Sequence, residues 1–398
     1  MLASHVLRDR LGDDPRVLGV AEVLSRAQSR SPVRAAETFR RGWLGSWASR
    51  CLHSGPERTA TADDVSALGN LAAATALRTG VDASVDVAIR AGRIHLPTMG
   101  SATVDQSAGT DGTATLIVRP GRPRLINDGG HEEDLPMGDD PRWMSLREIR
   151  LGSGRRSLTL TIDDLDPTRD CFVSRPADRL TPEAVRLWWS RGELAWSLLR
   201  NHAPESSELT ARWTDTLVPL EPAADDANLS ISSRAALGSI ALSLPAGPAE
   251  FGACLVHERA HSMLNGILLF WRLADPAATA TYFAPWRRDP RPILGALHGI
   301  YAFTAVGELW QQLLAVPELR GEAAGQLARR RVQLRAAIEA VTGSPELTRA
   351  GEALVAHSRR RVERLEAVEL PHELGRRAED ELVQAYDAWM LRNSAPRG

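Results

Sequence analysis

The feature that most constrains the fold is a polar motif inside the most apolar part of the chain. Residues 257–261 read His-Glu-Arg-Ala-His, an HExxH motif, and apolar residues flank it at three- and four-residue spacings. These flanking residues are Phe251, Leu255, Val256, Met263, Leu264, Ile267 and Leu268. The spacing predicts a helix over 249–273, and the preceding segment 238–244 predicts a strand. Buried histidine and glutamate are costly without partners, so this helix must face other polar groups or a metal.

The motif itself has the geometry of half a metal site. His257 and His261 are one helical turn apart, about 6 Å along the axis, so both imidazoles can bind one cation. Glu258 occupies the position of the general base in zinc peptidases with this motif. The competing interpretation is a pair of hydrogen-bonded histidines on an ordinary helix, since short motifs also arise by chance. The apolar surroundings favour the metal.

A third ligand is expected from a second apolar helix, predicted over 293–314. His298 is the one histidine in this segment, and we expect it to be the third metal ligand. Glu308, further along the same segment, is the competing candidate. On a regular helix the two are about 280° apart, so they cannot both point straight at one ion. The other seven histidines are expected to be solvated; they are His5, His53, His95, His131, His202, His357 and His372.

Between the motif and His298 lies a loop rich in arginine and proline. Arg287, Arg288 and Arg291 stand among Pro285, Pro290 and Pro292. Because arginine pairs with carboxylates through two parallel hydrogen bonds, the loop is a candidate clamp for a cosubstrate that carries a carboxylate. The alternative is a solvated loop whose charge is balanced by Asp289.

The rest of the chain predicts an α+β fold, mostly α-helical with a small central β-sheet. We expect four regions: a helical N-terminal region over 1–110, a mixed strand and helix region over 111–230, a metal-binding catalytic core over 231–316, and a helical C-terminal tail over 317–398. The second region is a candidate for peptide recognition. It should contain strands at 113–119, 125–126 and 157–165, and an exposed loop over 127–141.

Within the same region we also expect a helix over 182–202. Its predicted core face is formed by Leu187, Trp188, Leu194, Leu198 and Leu199.

Composition excludes several classes of protein. The 48 basic residues are all arginine and are matched by 50 acidic residues, a net charge of −2, which is unlike a nucleic-acid-binding protein. The three cysteines have unrelated spacings, which favours neither a disulfide framework nor a cysteine zinc site. Charged residues near the N-terminus argue against a signal peptide, and the apolar stretch near residue 270 is too short to span a membrane. We therefore expect a cytoplasmic protein without a nucleic-acid or membrane partner.

Taken together, these residues resemble the 2-oxoglutarate-dependent, HExxH-type peptide β-hydroxylases of ribosomal peptide natural product (RiPP) biosynthesis. The matching stretch runs over residues 217–310, about a quarter of the chain. It combines, in order, the strand at 238–242, the motif helix at 255–261, the Pro-Trp-Arg loop within 282–292, and the Leu-His-Gly helix at 297–303. The ordered combination is more specific than the HExxH motif alone.

The resemblance implies an Fe(II) centre held by His257, His261 and, by position, His298. It implies that 2-oxoglutarate chelates the iron and that an arginine, Arg287 first and Arg291 second, holds its distal carboxylate. Tyr301 is a further candidate for cofactor binding.

With O2 as cosubstrate, such an enzyme hydroxylates the β-carbon of a residue in a ribosomal precursor peptide, alongside a partner radical-chemistry maturation enzyme. The usual non-haem iron triad contains a carboxylate, so Glu258 or Glu308 remains open as a ligand. Glu258 could instead orient a ligand histidine.

The main rival hypothesis is a zinc-dependent metallopeptidase in which Glu258 polarises a Zn(II)-bound water. The extended HExxHxxGxxH form is absent, because Leu264 and Ile267 stand where its glycine and third histidine would be. Glu308 could still supply the third ligand from the later helix. A second rival is a non-catalytic protein that binds peptide through a structural metal.

Overall fold

The structure is a computed structural model that describes residues 15–39, 44–45, 62–104, 111–119, 122–127, 129–169, 174–222 and 229–393. Its fold is α+β and mostly helical, with several small sheets, as the sequence predicts. The helices are α1 (Pro15–Arg30), α2 (Pro32–Phe39), α3 (Ala62–Thr79), α4 (Pro182–His202), α5 (Pro204–Trp213), α6 (Pro248–Leu268), α7 (Ile293–Leu313), α8 (Arg320–Val341), α9 (Arg349–Glu366) and α10 (His372–Asn393).

The strands are short and distributed over four sheets. They are β1 (Ala83–Ile89), β2 (Arg93–Leu96), β3 (Gly100–Thr103), β4 (Gly112–Val118), β5 (Arg124–Asn127), β6 (Glu132–Asp134), β7 (Trp143–Ser145), β8 (Arg147–Leu151), β9 (Leu158–Ile162), β10 (Thr216–Pro219), β11 (Ser230–Ser232), β12 (Ser239–Leu242), β13 (Thr281–Tyr282) and β14 (Arg291–Pro292).

The N-terminal region differs from the prediction. Residues 1–110 are not helical throughout, because the described part forms strands β1, β2 and β3 after α3 ends at Thr79. In β1, Val85, Val87 and Ile89 are buried while Ser84 and Asp86 are exposed, which is the two-residue period of a strand packed on one face. Two sequence signals lie outside the described residues: Thr61, which is typical of a helix start, and Pro120-Gly121, which is typical of a hairpin turn.

Two antiparallel sheets complete this region, in the orders β1-β4-β5-β6 and β2-β3-β7. The predicted strands at 113–119 and 125–126 are confirmed by β4 and β5. The predicted exposed loop over 127–141 is wrong in part, because β6 pairs with β5 there. The pairing is supported by an ion pair between Arg124 and Glu132 at 2.9 Å, which the residue types alone did not distinguish from loop charge.

A five-stranded sheet in the order β11-β12-β10-β9-β8 lies at the centre of the molecule. Its inner strands β9, β10 and β12 are parallel, whereas the edge strands β8 and β11 run antiparallel to their neighbours. The inner strands are almost completely buried, as is usual for parallel strands whose two faces are both covered, and Thr159 of β9 is the exposed exception. Helices α4 and α6 pack together, and both contribute to the core that includes this sheet.

Helix α4 has the predicted bounds, but its predicted core face is partly wrong. Leu187 and Leu194 are 43% and 57% exposed, whereas Trp188, Trp196 and Leu199 are buried. Leucine and tryptophan occur on every side of this helix, so apolar spacing alone could not select the face. In the structure, the face that carries Trp188 and Trp196 is the buried one. Trp188 packs edge-on against Phe251 of α6, with ring centroids 5.8 Å apart.

Helix α6 follows β12 and contains the HExxH motif, as predicted, but it ends at Leu268. Residues 269–271 of the predicted helix lie beyond its end with exposed side chains. Helix α7 is confirmed, and the predicted C-terminal helices are confirmed by α8, α9 and α10. Among the described helices, α7 alone is long and apolar enough to cross a membrane, and 67% of its apolar window is buried, as in the core helix of a soluble protein.

One histidine expected to be solvated is only 11% exposed. His95 lies on β2, and its Nε2 is 3.4 Å from Oδ2 of Asp166, which follows β9. The two partners are distant in sequence, so the sequence offered no sign of the pair. His5 and His53 lie outside the described residues.

The contact between α4 and α6 leads to a test of the core. Replacing Phe251 by Ala should lower the free energy of unfolding by about 3–5 kcal/mol, because a completely buried ring leaves a cavity. Phe270→Ala is the matched control, since that ring is 82% exposed, and should change the free energy by no more than about 0.5 kcal/mol. Denaturant unfolding of both variants measures the difference, and equal midpoints would contradict this packing.

Candidate metal centre

Three histidine side chains meet between α6 and α7. Nε2 of His257 is 3.0 Å from Nε2 of His261, and Nδ1 of His261 is 3.2 Å from Nδ1 of His298. The ring centroids of these two pairs are 4.5 Å and 5.4 Å apart. The two helices therefore bring together all three residues that the sequence proposed as ligands.

The sequence around His298 explains the close approach of the loop that precedes α7. A Cβ atom at Gly299 would lie 2.2 Å from the indole of Trp286, so only glycine leaves room for that ring. Trp286 in turn contacts Phe303, with ring centroids 4.8 Å apart, and Phe303 contacts His257 at 4.6 Å. An aromatic wall, Trp286 and Phe303, thus covers one side of the histidines.

The histidines are held in their neutral form. Burial lowers the pKa of His257 to about 3, with a further contribution from the charge of Arg330. Burial, then Arg234 and Arg291, lowers the pKa of His298 to about 4. The pKa of His261 is also lowered, first by burial and then by its two histidine neighbours. Neutral imidazoles have a free lone pair, which is the form that binds a metal.

The chemistry and part of the geometry fit a divalent transition metal. Two nitrogen ligands at about 2.1 Å from one ion are about 3.0–3.4 Å apart, and the two Nε2 atoms of His257 and His261 satisfy this. His298, however, meets the other nitrogen of His261. As the rings stand, the three form a chain of imidazoles, and no metal-binding group of three or more side chains is found in the described part of the chain. Binding of one ion by all three requires one ring to rotate.

Glu258 is buried between the three histidines and the central sheet. It is 1% exposed, its Oε1 accepts a hydrogen bond from Oγ of Ser230 at 2.7 Å, and the same oxygen is 3.9 Å from Nε2 of His257. Burial raises the pKa of Glu258 to about 7, although bonds from Ser230 and Ser232 act in the opposite direction. Its Oε2 has no hydrogen-bond partner among the described residues. This carboxyl group can therefore accept or release a proton near neutral pH, next to the histidines.

Glu308 is not brought to the histidines. Arg361 of α9 donates from Nε to its Oε1 at 2.7 Å and from Nη2 to its Oε2. Both carboxylate oxygens are therefore engaged by one guanidinium. Tyr301, the further candidate for cofactor binding, lies near Arg259 and Arg361.

Two arginines of the loop pair with an aspartate of the same loop. Arg287 donates from Nε to Asp289 Oδ1 at 2.9 Å, and Arg291 donates from Nη1 to Asp289 Oδ2 at 3.2 Å. Their side chains are 53% and 35% exposed. Asp289 thus pairs with two of the three arginines of the loop, which agrees with the alternative interpretation for these two, although the charge of Arg291 still acts on His261 and His298.

A different arginine, which sequence reasoning missed, lies against the site. Arg330 of α8 places its Cζ 4.3 Å from the centroid of the Phe303 ring, the same ring that contacts His257. Its Nη1 donates to Gln333 Oε1 at 2.7 Å, while its Nε is buried without a hydrogen-bond partner.

Arg330 also has no acidic partner among the described residues. Burial lowers its pKa to about 10, so it remains a cation at neutral pH. The sequence contains one indication of its position, because Leu327 and Leu334 lie at helical spacing on either side of it. Both leucines are buried in the structure. A partly buried cation that lacks a counter-charge, with one nitrogen shielded from solvent, favours binding of an anion.

No family model matches the chain, and no curated protein matches it at a significant level.

Metal binding can be tested directly on the histidines. His257→Ala should lower the affinity for Co(II) or Zn(II) by at least about 10-fold, because it removes one of two nitrogens already spaced for one ion. His131→Ala, at an exposed position, is the matched control and should bind metal as the parent does. Equilibrium dialysis with metal analysis measures the affinity. Unchanged binding by His257→Ala would contradict a metal centre at these residues.

Glu308 allows a second test. Glu308→Gln should leave metal binding unchanged and lower the free energy of unfolding by about 1–3 kcal/mol, because Arg361 loses its charged partner. Metal analysis and denaturant unfolding of the same sample separate the two effects. Loss of metal with unchanged stability would instead identify Glu308 as a ligand.

Proposed function

We propose that this protein is a cytoplasmic Fe(II)- and 2-oxoglutarate-dependent oxygenase that hydroxylates the β-carbon of a residue in a ribosomally synthesised precursor peptide. The overall reaction converts the peptide C–H group, 2-oxoglutarate and O2 into the peptide C–OH group, succinate and CO2. The observation that supports it best is the position of Arg330, a partly buried cation that has no acidic partner among the described residues and contacts the same Phe303 ring as His257.

Arg330 fits a cosubstrate with a carboxylate at each end. In a site with neutral histidines, one carboxylate can approach the metal while the other neutralises a guanidinium. Phe303 lies between Arg330 and His257 and contacts both. The guanidinium and the proposed metal position therefore share one apolar wall. A dicarboxylate that spans them would satisfy the buried Nε of Arg330, which has no partner among the described residues.

His257, His261 and, after rotation of one ring, His298 would hold the iron. When bound, the iron supplies O2 activation. Trp286 and Phe303 exclude water from one side of the histidines. Glu258 holds a proton at the opposite side, where the serines of β11 fix its orientation. A partner radical-chemistry enzyme that matures the same peptide belongs to this proposal.

The second candidate function is a zinc metallopeptidase, and Glu258 is the observation that favours it. A buried carboxylate with a raised pKa next to a histidine pair is what a general base for water attack requires. Two observations favour the oxygenase instead. Amide hydrolysis has no need for Arg330, and Glu308, the carboxylate that such a peptidase would use as third ligand, is bound to Arg361.

The proposal predicts a specific spectroscopic result. Fe(II)-loaded protein titrated anaerobically with 2-oxoglutarate should develop a weak visible metal-to-ligand charge-transfer band. Arg330→Gln should weaken 2-oxoglutarate binding about 10- to 100-fold, because a charge-assisted hydrogen bond is lost. Arg287→Gln is the matched control and should change the Kd by no more than about 3-fold, since Arg287 is exposed and paired with Asp289.

The opposite result would favour the peptidase. If the protein retains one tightly bound Zn(II), shows no charge-transfer band, and cleaves peptides with an activity lost in Glu258→Gln, the oxygenase proposal is wrong.

A further inference from the structure

Strand β11 is the edge of the central sheet that lies nearest to the HExxH motif. It pairs on one side with β12, in the register Ser230 with Leu242 and Ser232 with Ile240. The backbone N–H of Ser243 donates to the carbonyl of Leu229 at 2.9 Å, so residue 229 belongs to a hydrogen-bonded pair. Because such pairs alternate along an antiparallel ladder, Ser230 and Ser232 turn their backbone N–H and C=O groups away from β12.

Along Ser230–Ser232 this outward edge is unpaired in the part of the chain that the structure describes, and just beyond the strand Gly45 lies against the carbonyl oxygen of Ala235. No described residue makes a hydrogen bond to the backbone N–H or C=O of Ser230 or Ser232. The edge therefore presents two donors and two acceptors in the spacing of an extended strand. Such an edge is a template for another strand, and extended peptides commonly bind to it.

The edge is also fastened to the site. Ser230 donates from Oγ to Glu258 at 2.7 Å, and the Ser232 hydroxyl lies near enough to lower the pKa of the same carboxyl group. The side chain of Ser230 thus holds β11 against α6, at the residue that follows His257. A strand added to the outer edge would consequently be held at a fixed distance from the histidines.

A cation stands at the end of this edge. Arg234 is exposed and has no acidic partner among the described residues, and after burial its charge is the largest cause of the low pKa of His298. Glu258 is buried and turned toward the two serines, so it does not neutralise this surface. The charge beside the edge therefore favours a negatively charged occupant.

We infer that the outer edge of β11 binds an extended, acidic peptide segment as an added strand, with an acidic side chain paired to Arg234. The assignment of this peptide as the substrate rests on the proposed function. The backbone bonds of Ser230 and Ser232 supply affinity for any extended peptide, while Arg234 selects one that contains aspartate or glutamate near the residue presented to the histidines.

The test uses metal-free full-length protein and a fluorescein-labelled dodecapeptide of alternating valine and aspartate, with binding followed by fluorescence anisotropy. Ser232→Pro removes the outward N–H, and an edge strand tolerates proline at such a position. Ser232→Ala is the matched control, because it loses the same hydroxyl but keeps the N–H. We expect the Kd of Ser232→Pro to be about 3- to 10-fold weaker than that of Ser232→Ala.

Two further probes test the same edge without depending on that variant. A peptide N-methylated at its four central residues should bind the unmodified protein at least about 10-fold more weakly, even if Ser232→Pro fails to fold. A peptide with asparagine in place of aspartate should also bind more weakly, and Arg234→Gln should abolish that difference. Thermal unfolding verifies that each variant is folded.

Three results would overturn the inference: a Kd above about 1 mM for the acidic peptide, equal binding of the N-methylated peptide, or equal affinities of folded Ser232→Pro and Ser232→Ala. Since no metal is present, the outcome is independent of the oxygenase test. Binding at the edge without a 2-oxoglutarate band would leave a peptide site in a protein of another activity. A 2-oxoglutarate band without binding at the edge would support the oxygenase and refute this docking surface.

Discussion

The burial of polar side chains between α6 and α7 is the constraint on which the rest of the structure depends. His257, Glu258 and His261 lie on a helix packed into the main core, where an unpaired polar group is expensive. Two of them have a polar neighbour from another element, since His298 from α7 approaches His261 and Ser230 from β11 bonds to Glu258, while His257 contacts the Phe303 ring of α7. The central sheet and α7 are thus needed in their observed positions to satisfy α6.

The arginines around this centre differ in whether a carboxylate neutralises their charge. Arg361 has both oxygens of Glu308, and Arg287 shares Asp289 with Arg291, so these groups are already satisfied. Arg330 has only an amide oxygen and an aromatic face. A cation–π contact compensates part of the lost hydration of a guanidinium but leaves its charge unneutralised. Because the first group has carboxylate partners and Arg330 has none among the described residues, Arg330 is the arginine that we propose as the anion site.

The sequence predicted local features well and distant pairings poorly. The motif helix, the strand before it and the His298 helix follow from spacing within about 20 residues, which is the range that periodicity reports. The pairing of Asp289 with the loop arginines was foreseen as an alternative for the same reason. By contrast, Arg330 stands in a run of three arginines, where its helical spacing to Leu327 and Leu334 is its one distinguishing feature in the sequence, and the structure alone shows that it reaches Phe303. His95 was misassigned because Asp166 is far along the chain.

Glu258 lies between the edge strand β11 and the histidines, and the serines of β11 orient its carboxyl group. One carboxylate oxygen is tied to the sheet edge and lies 3.9 Å from His257, while the other has no described partner. If the edge moved, the carboxyl group would lose the bonds that oppose the rise of its pKa, and it would become more readily protonated. A peptide that holds β11 in place would keep these bonds and would therefore oppose the rise in the pKa of Glu258. Occupation of the edge would thereby favour the ionised carboxylate next to the histidines, which links the binding of an extended chain to the electrostatics of the centre.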